Sequence, residues 1–296
     1  MQLPKGALKA DALLLLTAII WGFAFVAQRV GMRSIGPFAF NAVRFALGAL
    51  CLAPFLLLNR RRAQRTPARL APGRKLAWAA LTGLVLFTAA NLQQIGLVYT
   101  TAGNAGFITS LYVILVPLLG LCAGRSAGAR IWLGAILAVA GLYILSMTGL
   151  HMAPGDLLEL AGALFWAAHI LLISRLASRM EALEIAVGQF ATCAILSLGA
   201  ALLFEPSPFT GVRAAAIPIL YGGLLSIGVA YTLQIVAQKT AHPAHASIIL
   251  SMEALFAGIG GVLLLREPLT LRLVIGGLLM LAGMILSQLE PALTKV

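Results

Sequence analysis

Acidic residues are scarce in this chain. Nine Asp and Glu stand among 296 residues, and only 10% of positions carry a charge of either sign. Such a chain cannot cover a water-facing surface, because 61% of it is hydrophobic and a further 30 residues are glycine. A soluble domain averages about 45–50% apolar residues with glycine included, so an ordinary cytosolic enzyme or secreted domain is excluded. Cysteine is scarcer still. Cys51, Cys122 and Cys193 each lie inside an apolar run, with no CxxC and no Cys/His spacing suited to a metal, and they read as packing residues. His242 and His245 sit three apart without a third ligand of suitable spacing, so neither a metal site nor a cofactor is expected. No HExxH, GxSxG, Walker A or GxGxxG pattern occurs, which leaves hydrolase, ATPase and dinucleotide chemistry without a motif. Long polar connections are missing too: only 59–75 has any length, leaving no room for a soluble domain.

What the chain does have is apolar runs. Crossing about 30 Å of hydrocarbon at 1.5 Å per residue takes about 20 residues. Segments of that kind cover 11–31, 35–58, 76–98, 101–123, 130–148, 156–175, 182–204, 212–236, 244–265 and 270–289. The sequence thus predicts an all-α membrane protein of ten transmembrane helices. The first run follows Lys5 and Lys9 but is long and lacks a small-residue cleavage site, so it reads as an uncleaved span.

The net charge of +12 would suggest nucleic acid in a soluble protein, but its location says otherwise. With the N-terminus inside, 15 of the 21 Lys and Arg fall in loops on the inner side, five fall outside, and Arg44 lies within a span. The positive-inside rule then places both termini in the cytoplasm. Nucleic acid is not an expected partner. Seven basic residues bunched in 60–75 suit anionic lipid.

The chain also repeats itself. A shift of 145 residues places Asp11 on Asp156, Trp21 on Trp166 and Phe45 on Phe190. A shift of 141 places Gln93 on Gln234, Ala105 on Ala246 and Ser110 on Ser251, and one of 142 places Gly134 on Gly276 and Gly141 on Gly283. Two five-span repeats follow, 11–148 and 156–289. Because five is odd, the second enters the membrane from the opposite face, the inverted-repeat architecture of secondary transporters.

The Trp21-Gly22 step, Arg44-Phe45, the run NLQQIGLVYTTAGNAGFITSLYVILVP, and in the second half HASIILSMEALFAGIGGVLLLREPLT followed by GGLLMLAGMIL resemble the EamA branch of the drug/metabolite transporter superfamily. The resemblance spans about 11–289. It implies a bacterial-type inner-membrane transporter, with exporters of amino acids and related metabolites among the members most like this chain. Two positions depart from the family's pattern. Arg125-Ser126 stands where a Glu is common, though Glu267-Pro268 keeps it in the second half, and Ala254 follows Glu253 where Pro is usual.

Buried ionisable groups cost about 2.5–3.5 kcal/mol each on insertion scales, so Glu253 and Arg44, both near the middle of their spans, need a reason. Glu253 reads either as a proton-coupling carboxylate or substrate-ammonium anchor, or as the partner of Arg44 in helix packing. Asn91 and Gln94 on span three, and Tyr231 and Gln234 on span eight, read as interhelical bonds or cavity lining, and the match of Gln93 with Gln234 favours the cavity. Trp21 and Trp166 lie about 15 Å into their spans, too deep for an interface belt, and suit cavity walls. His169 shares a face with Trp166 and serves either packing or substrate bonding. Tyr99 and Asn104 flank the turn between spans three and four, as gate or rim.

The reading is an exporter of small amphipathic metabolites, amino acids foremost, working by alternating access as a monomer or weak oligomer among membrane lipids. A multidrug or lipophilic-cation exporter is the alternative. A membrane-embedded enzyme would need a carboxylate pair or His/Asp set on adjacent spans, which this chain lacks.

Overall fold

The computed structural model describes residues 5–63, 70–100, 102–125, 127–146, 154–266 and 269–289, and all regular structure there is helical. Prolines open several helices, where the missing N–H costs nothing because the first turn has no intrahelical acceptor. The first five spans are α1 (Lys5–Gly31), α2 (Pro37–Ala63), α3 (Pro72–Tyr99), the pair α4 (Ala102–Ser110) and α5 (Tyr112–Cys122), and α6 (Ala129–Ser146). The second five are α7 (Pro154–Leu176), α8 (Ala182–Phe204), a composite of α9 (Ala216–Leu220), a π-helical segment (Tyr221–Tyr231) and α10 (Thr232–Ala237), the pair α11 (Pro243–Leu250) and α12 (Glu253–Leu265), and α13 (Leu271–Gln288). Eight of the spans are long and apolar enough to cross a bilayer outright, and α6 and α13 carry shorter apolar stretches. The protein is an all-helical membrane protein of ten spans in two inverted repeats. Arg65, Arg69, Ser126 and Glu267-Pro268 lie outside the described residues, as do the side chains of Lys5, Arg60, Arg61, Arg62 and Asn104.

Packing follows the inverted symmetry. Helix α1 runs against the π segment, α10 and α12 of the other repeat, and α7 runs correspondingly against α3, α4 and α5. The remaining spans pair with their own counterparts, α2 with α8, α5 with α11 and α6 with α13. Phe45 and Phe190, matched in the repeat, are both fully buried and meet with ring centroids 6.1 Å apart. In the α6–α13 pair, Gly134 lies against the Gly283 carbonyl and Gly141 against that of Gly276. The order is reversed along the two helices, so they run antiparallel. Glycine lets the backbones approach, which is how helices gain contact in lipid.

Three of the expected spans are not continuous α-helices. Span four breaks at Leu111 and span nine at Ser251 and Met252. These positions are related by the 141-residue shift. At each break the backbone tightens into i to i−3 bonds, Leu111 to Ile108 and Ile114 to Leu111 in one, Met252 to Ile249 and Ala254 to Ser251 in the other. The Ser251 hydroxyl bonds the Ile248 carbonyl at 2.8 Å, a local competition that bends helices. In span eight the π segment replaces the α-helix that α3 keeps at the matching positions, so the two repeats differ there. Apolar periodicity shows none of these changes, because the residues stay apolar while the winding alters.

Candidate functional site

Where the leading helices of the two repeats meet the broken ones, the fold leaves a cavity. Trp21, Trp166 and Tyr231 form its aromatic side. Gln28, Gln93, Thr109, Tyr112, Ser226 and Gln234 supply uncharged polar groups, and Arg44 and Glu253 bring a guanidinium and a carboxyl. Tyr231 is the hub: its ring centroid lies 4.6 Å from Trp21 and 6.3 Å from Trp166, with His169 at 5.9 Å edge-on behind it. Phe45 and Phe190 pack against the same ring.

Glu253 begins α12, the first residue after the break. Tyr112 begins α5 at the matching place in the other repeat, and its hydroxyl donates to Glu253 Oε1 at 2.9 Å. The two breaks therefore meet through their own first residues. Discontinuous helices set into a midplane cavity are the usual builders of transporter sites.

Arg44 does not pair with Glu253. Among the described residues no ion pair joins them. Instead Nε of Arg44 donates to Asn41 Oδ1 at 2.8 Å, and the guanidinium lies 5.4 Å from the Phe40 ring and 5.1 Å from the Phe45 ring. Planar stacking of this kind suits arginine and not lysine. Asn41 is held in turn by Asn91, whose amide also donates to Ser197 at 3.1 Å. The guanidinium and the carboxyl thus each face the cavity on their own scaffold.

The matched glutamines behave differently. Trp166 Nε1 donates to Gln93 Oε1 at 2.9 Å, whereas Trp21 Nε1 donates to the Ser226 carbonyl in the π segment at 3.2 Å. The altered winding draws Trp21 onto backbone and leaves Gln234 Oε1 buried without a hydrogen-bond partner. That oxygen is an acceptor on the cavity wall. π-Bulges are frequent at functional sites for such reasons.

Of the residues singled out from sequence, Trp21, Trp166, Tyr231, Gln234, Glu253 and Arg44 come together around this cavity. Asn91 stands behind it in the network that holds Asn41. His169 stands behind it too, bonded to Gln189 at 2.9 Å. Gln94 is fully buried, away from the lining, with both amide atoms unpartnered. Tyr99 ends α3 at 59% exposure, outside the cavity. Sequence reading passed over Tyr112, Thr109 and Gln28. The signal for Tyr112 was present, since the 141-residue shift carries it onto Glu253.

The EamA-like transporter family model matches this chain twice, over residues 8–147 and 153–289. The chain belongs to the EamA-like transporter family. An "Uncharacterized transporter" of Archaeoglobus fulgidus is 34% identical over 96% of this chain and 87% of its own length. The "Uncharacterized inner membrane transporter YedA" of Escherichia coli is 32% identical over 71% of this chain and 65% of its own. A solved crystal structure superposes with a TM-score of 0.77 at 19% identity, covering 94% of this chain and 95% of that one, a likeness of fold. This EamA-family chain is a multi-pass membrane transporter and not an enzyme.

Proposed function

We propose that this chain is an inner-membrane exporter of small amphipathic metabolites, amino acids foremost, with both termini in the cytoplasm. The observation that carries the reading is one cavity lined by Arg44 and Glu253, unpaired with each other. A zwitterion brings a carboxylate to the guanidinium and an ammonium to the carboxyl, and Gln234 Oε1 offers that ammonium a second acceptor. Trp21, Tyr231 and Trp166 give an apolar side chain a wall to pack on. Trp21, Trp166, Tyr231 and Gln234 make up the proposed binding wall, Asn91 and His169 support it from one layer behind, and Gln94 and Tyr99 stand apart from it.

Export by alternating access suits the inverted packing. Helices α1 and α7 each lean on the broken span of the other repeat, so exchanging the two sets of contacts closes one mouth and opens the other. Glu253, held only by Tyr112, is the coupling carboxyl at the centre. The second reading, a lipophilic-cation exporter, draws support from the aromatic rings beside Glu253. Arg44 on the same cavity argues against it, since a cationic wall repels such a ligand.

Counterflow in proteoliposomes with mixed radiolabelled amino acids, with and without an imposed pH gradient, tests the proposal. Accumulation above protein-free vesicles is expected, with the gradient response abolished in Glu253→Gln. Counts at background for every amino acid refute the substrate class, and an unchanged pH response in Glu253→Gln refutes the coupling role.

A further inference from the structure

Glu253 is not the only carboxyl inside the bundle. Glu159, one turn into α7, is 0% exposed. Its Oε2 accepts from the Thr109 hydroxyl at 2.8 Å, and its Oε1 has no partner at all. Oε1 lies where a side chain on Gly96 would be, within 2.7 Å of the Cβ that residue lacks. The backbone of α3 thus closes over the carboxyl.

No lysine, arginine or histidine lies within ion-pair distance of Glu159 among the described residues. The charged groups around it are few. On its own helix Asp156 stands one turn back and accepts from Thr100, the residue that ends α3. On α1 the Arg29 guanidinium is engaged by the Leu97 carbonyl of α3. On α4 the contact is Thr109, which has no charge. An ionised carboxylate with one neutral donor, an adjacent acid and no counter-ion would carry the desolvation cost of a bare buried charge. A neutral carboxylic acid carries no such cost. Glutamine would fill the same volume and accept the same Thr109 bond, so a structural role alone does not call for an acid.

Thr109 gives the site its connection. It lines the cavity that Glu253 lines, and its hydroxyl bridges to Glu159. Glu159 is therefore one hydrogen bond behind the cavity wall, on the side where α3 ends and α7 begins. Its contacts join α7 to α4 and α3, helices that must part if that mouth opens.

We propose that Glu159 is a second proton-binding site, holding a proton while this mouth is closed and releasing it to water when α7 separates from α4. The exchange is a simple ionisation, in which one proton leaves the carboxyl and returns on closure. It rests on the alternating-access reading for its consequences, but the bound proton itself is read independently. Infrared difference spectra of the purified protein between acid and alkaline buffer report the carbonyl stretch of a protonated carboxyl. A band present in the wild type and in Glu253→Gln but lost in Glu159→Gln is expected. Thr109→Val, which removes only the donor, is expected to shift that band without abolishing it. In proteoliposomes, Glu159→Gln should export at a rate at least about threefold less responsive to external pH, at equal protein incorporation. An unaltered band in Glu159→Gln overturns the proposal, even where export proceeds as expected. A response to sodium in place of pH, lost in Glu159→Gln, also overturns it and makes the ligand a metal cation. A band that behaves as stated without any amino-acid export leaves the proton site standing and removes the substrate reading.

Discussion

Gly283→Ala tests the antiparallel pairing of α6 and α13 without reference to any substrate. A Cβ on Gly283 would stand 2.5 Å from the Gly134 carbonyl oxygen and 3.1 Å from the Ala138 amide nitrogen. Both are backbone atoms on α6 and cannot rotate aside. Reaching ordinary contact near 3.4 Å moves one helix by about 0.9 Å, and overpacking of that order costs about 1–3 kcal/mol. Alanine offsets part of this, because a helical glycine loses about 0.5–1 kcal/mol relative to it. At the middle of these ranges the clash wins, with a net loss of about 1–1.5 kcal/mol. At about 2–4 °C per kcal/mol for chains of comparable size, the midpoint of thermal unfolding in detergent falls by roughly 2–6 °C, followed by tryptophan fluorescence. Gly199→Ala is the control. Nothing lies within 4 Å of its Cβ position, so only the backbone gain remains and the midpoint holds or rises by a few degrees. A Gly283→Ala protein as stable as the wild type would refute the close approach. A fall of the same size in both variants would show that glycine matters there for some reason other than this contact.

Two further outcomes follow from the packing. Tyr231→Ala removes the ring that touches Trp21, Phe45, Trp166, His169 and Phe190, and truncation of a large buried aromatic costs about 3–5 kcal/mol. Its unfolding midpoint should fall further than that of Gly283→Ala, and an equal or smaller fall would mean that the hub is dispensable. Lys75→Met deletes a 2.8 Å ion pair with Glu184 whose two side chains remain partly exposed. Such pairs contribute about 0–1 kcal/mol, so the midpoint should move by less than about 4 °C, and a larger change would assign Lys75 a role beyond that pair.

Much of the architecture was legible in the chain because hydrocarbon is an unforgiving solvent. A span must be apolar for its whole length, so ten runs can be counted, and a duplicated ancestor leaves matched residues such as Trp21 with Trp166 and Gln93 with Gln234. The expectation of mid-membrane tryptophans was also within reach, since depth follows from 1.5 Å per residue. Which amide faces the cavity was not. Gln93 and Gln94 are neighbours with the same chemistry, and only the rotation of α3 against α7 sends one to Trp166 and the other into the interior. Spacing left Asn91 and His169 open between packing and cavity wall, and both stand one layer behind the wall. Glu159 escaped notice because four residues from the start of a span is where an acid ordinarily reaches water. Here α3 and α4 cover it.

The sequence by itself determined the medium, the number of spans and their inverted duplication, since each is written in runs and shifts that need no coordinates. Tertiary structure decided where the helices lose their regularity. The breaks at Leu111 and Met252 and the π turn after Tyr221 rest on a few backbone bonds exchanged between i−3, i−4 and i−5 partners. Those exchanges leave hydrophobicity unchanged, and are resolved only when the helices pack. They bring Tyr112 onto Glu253 and leave Gln234 an open acceptor. A bundle of two related halves thereby acquires one cavity whose two sides differ.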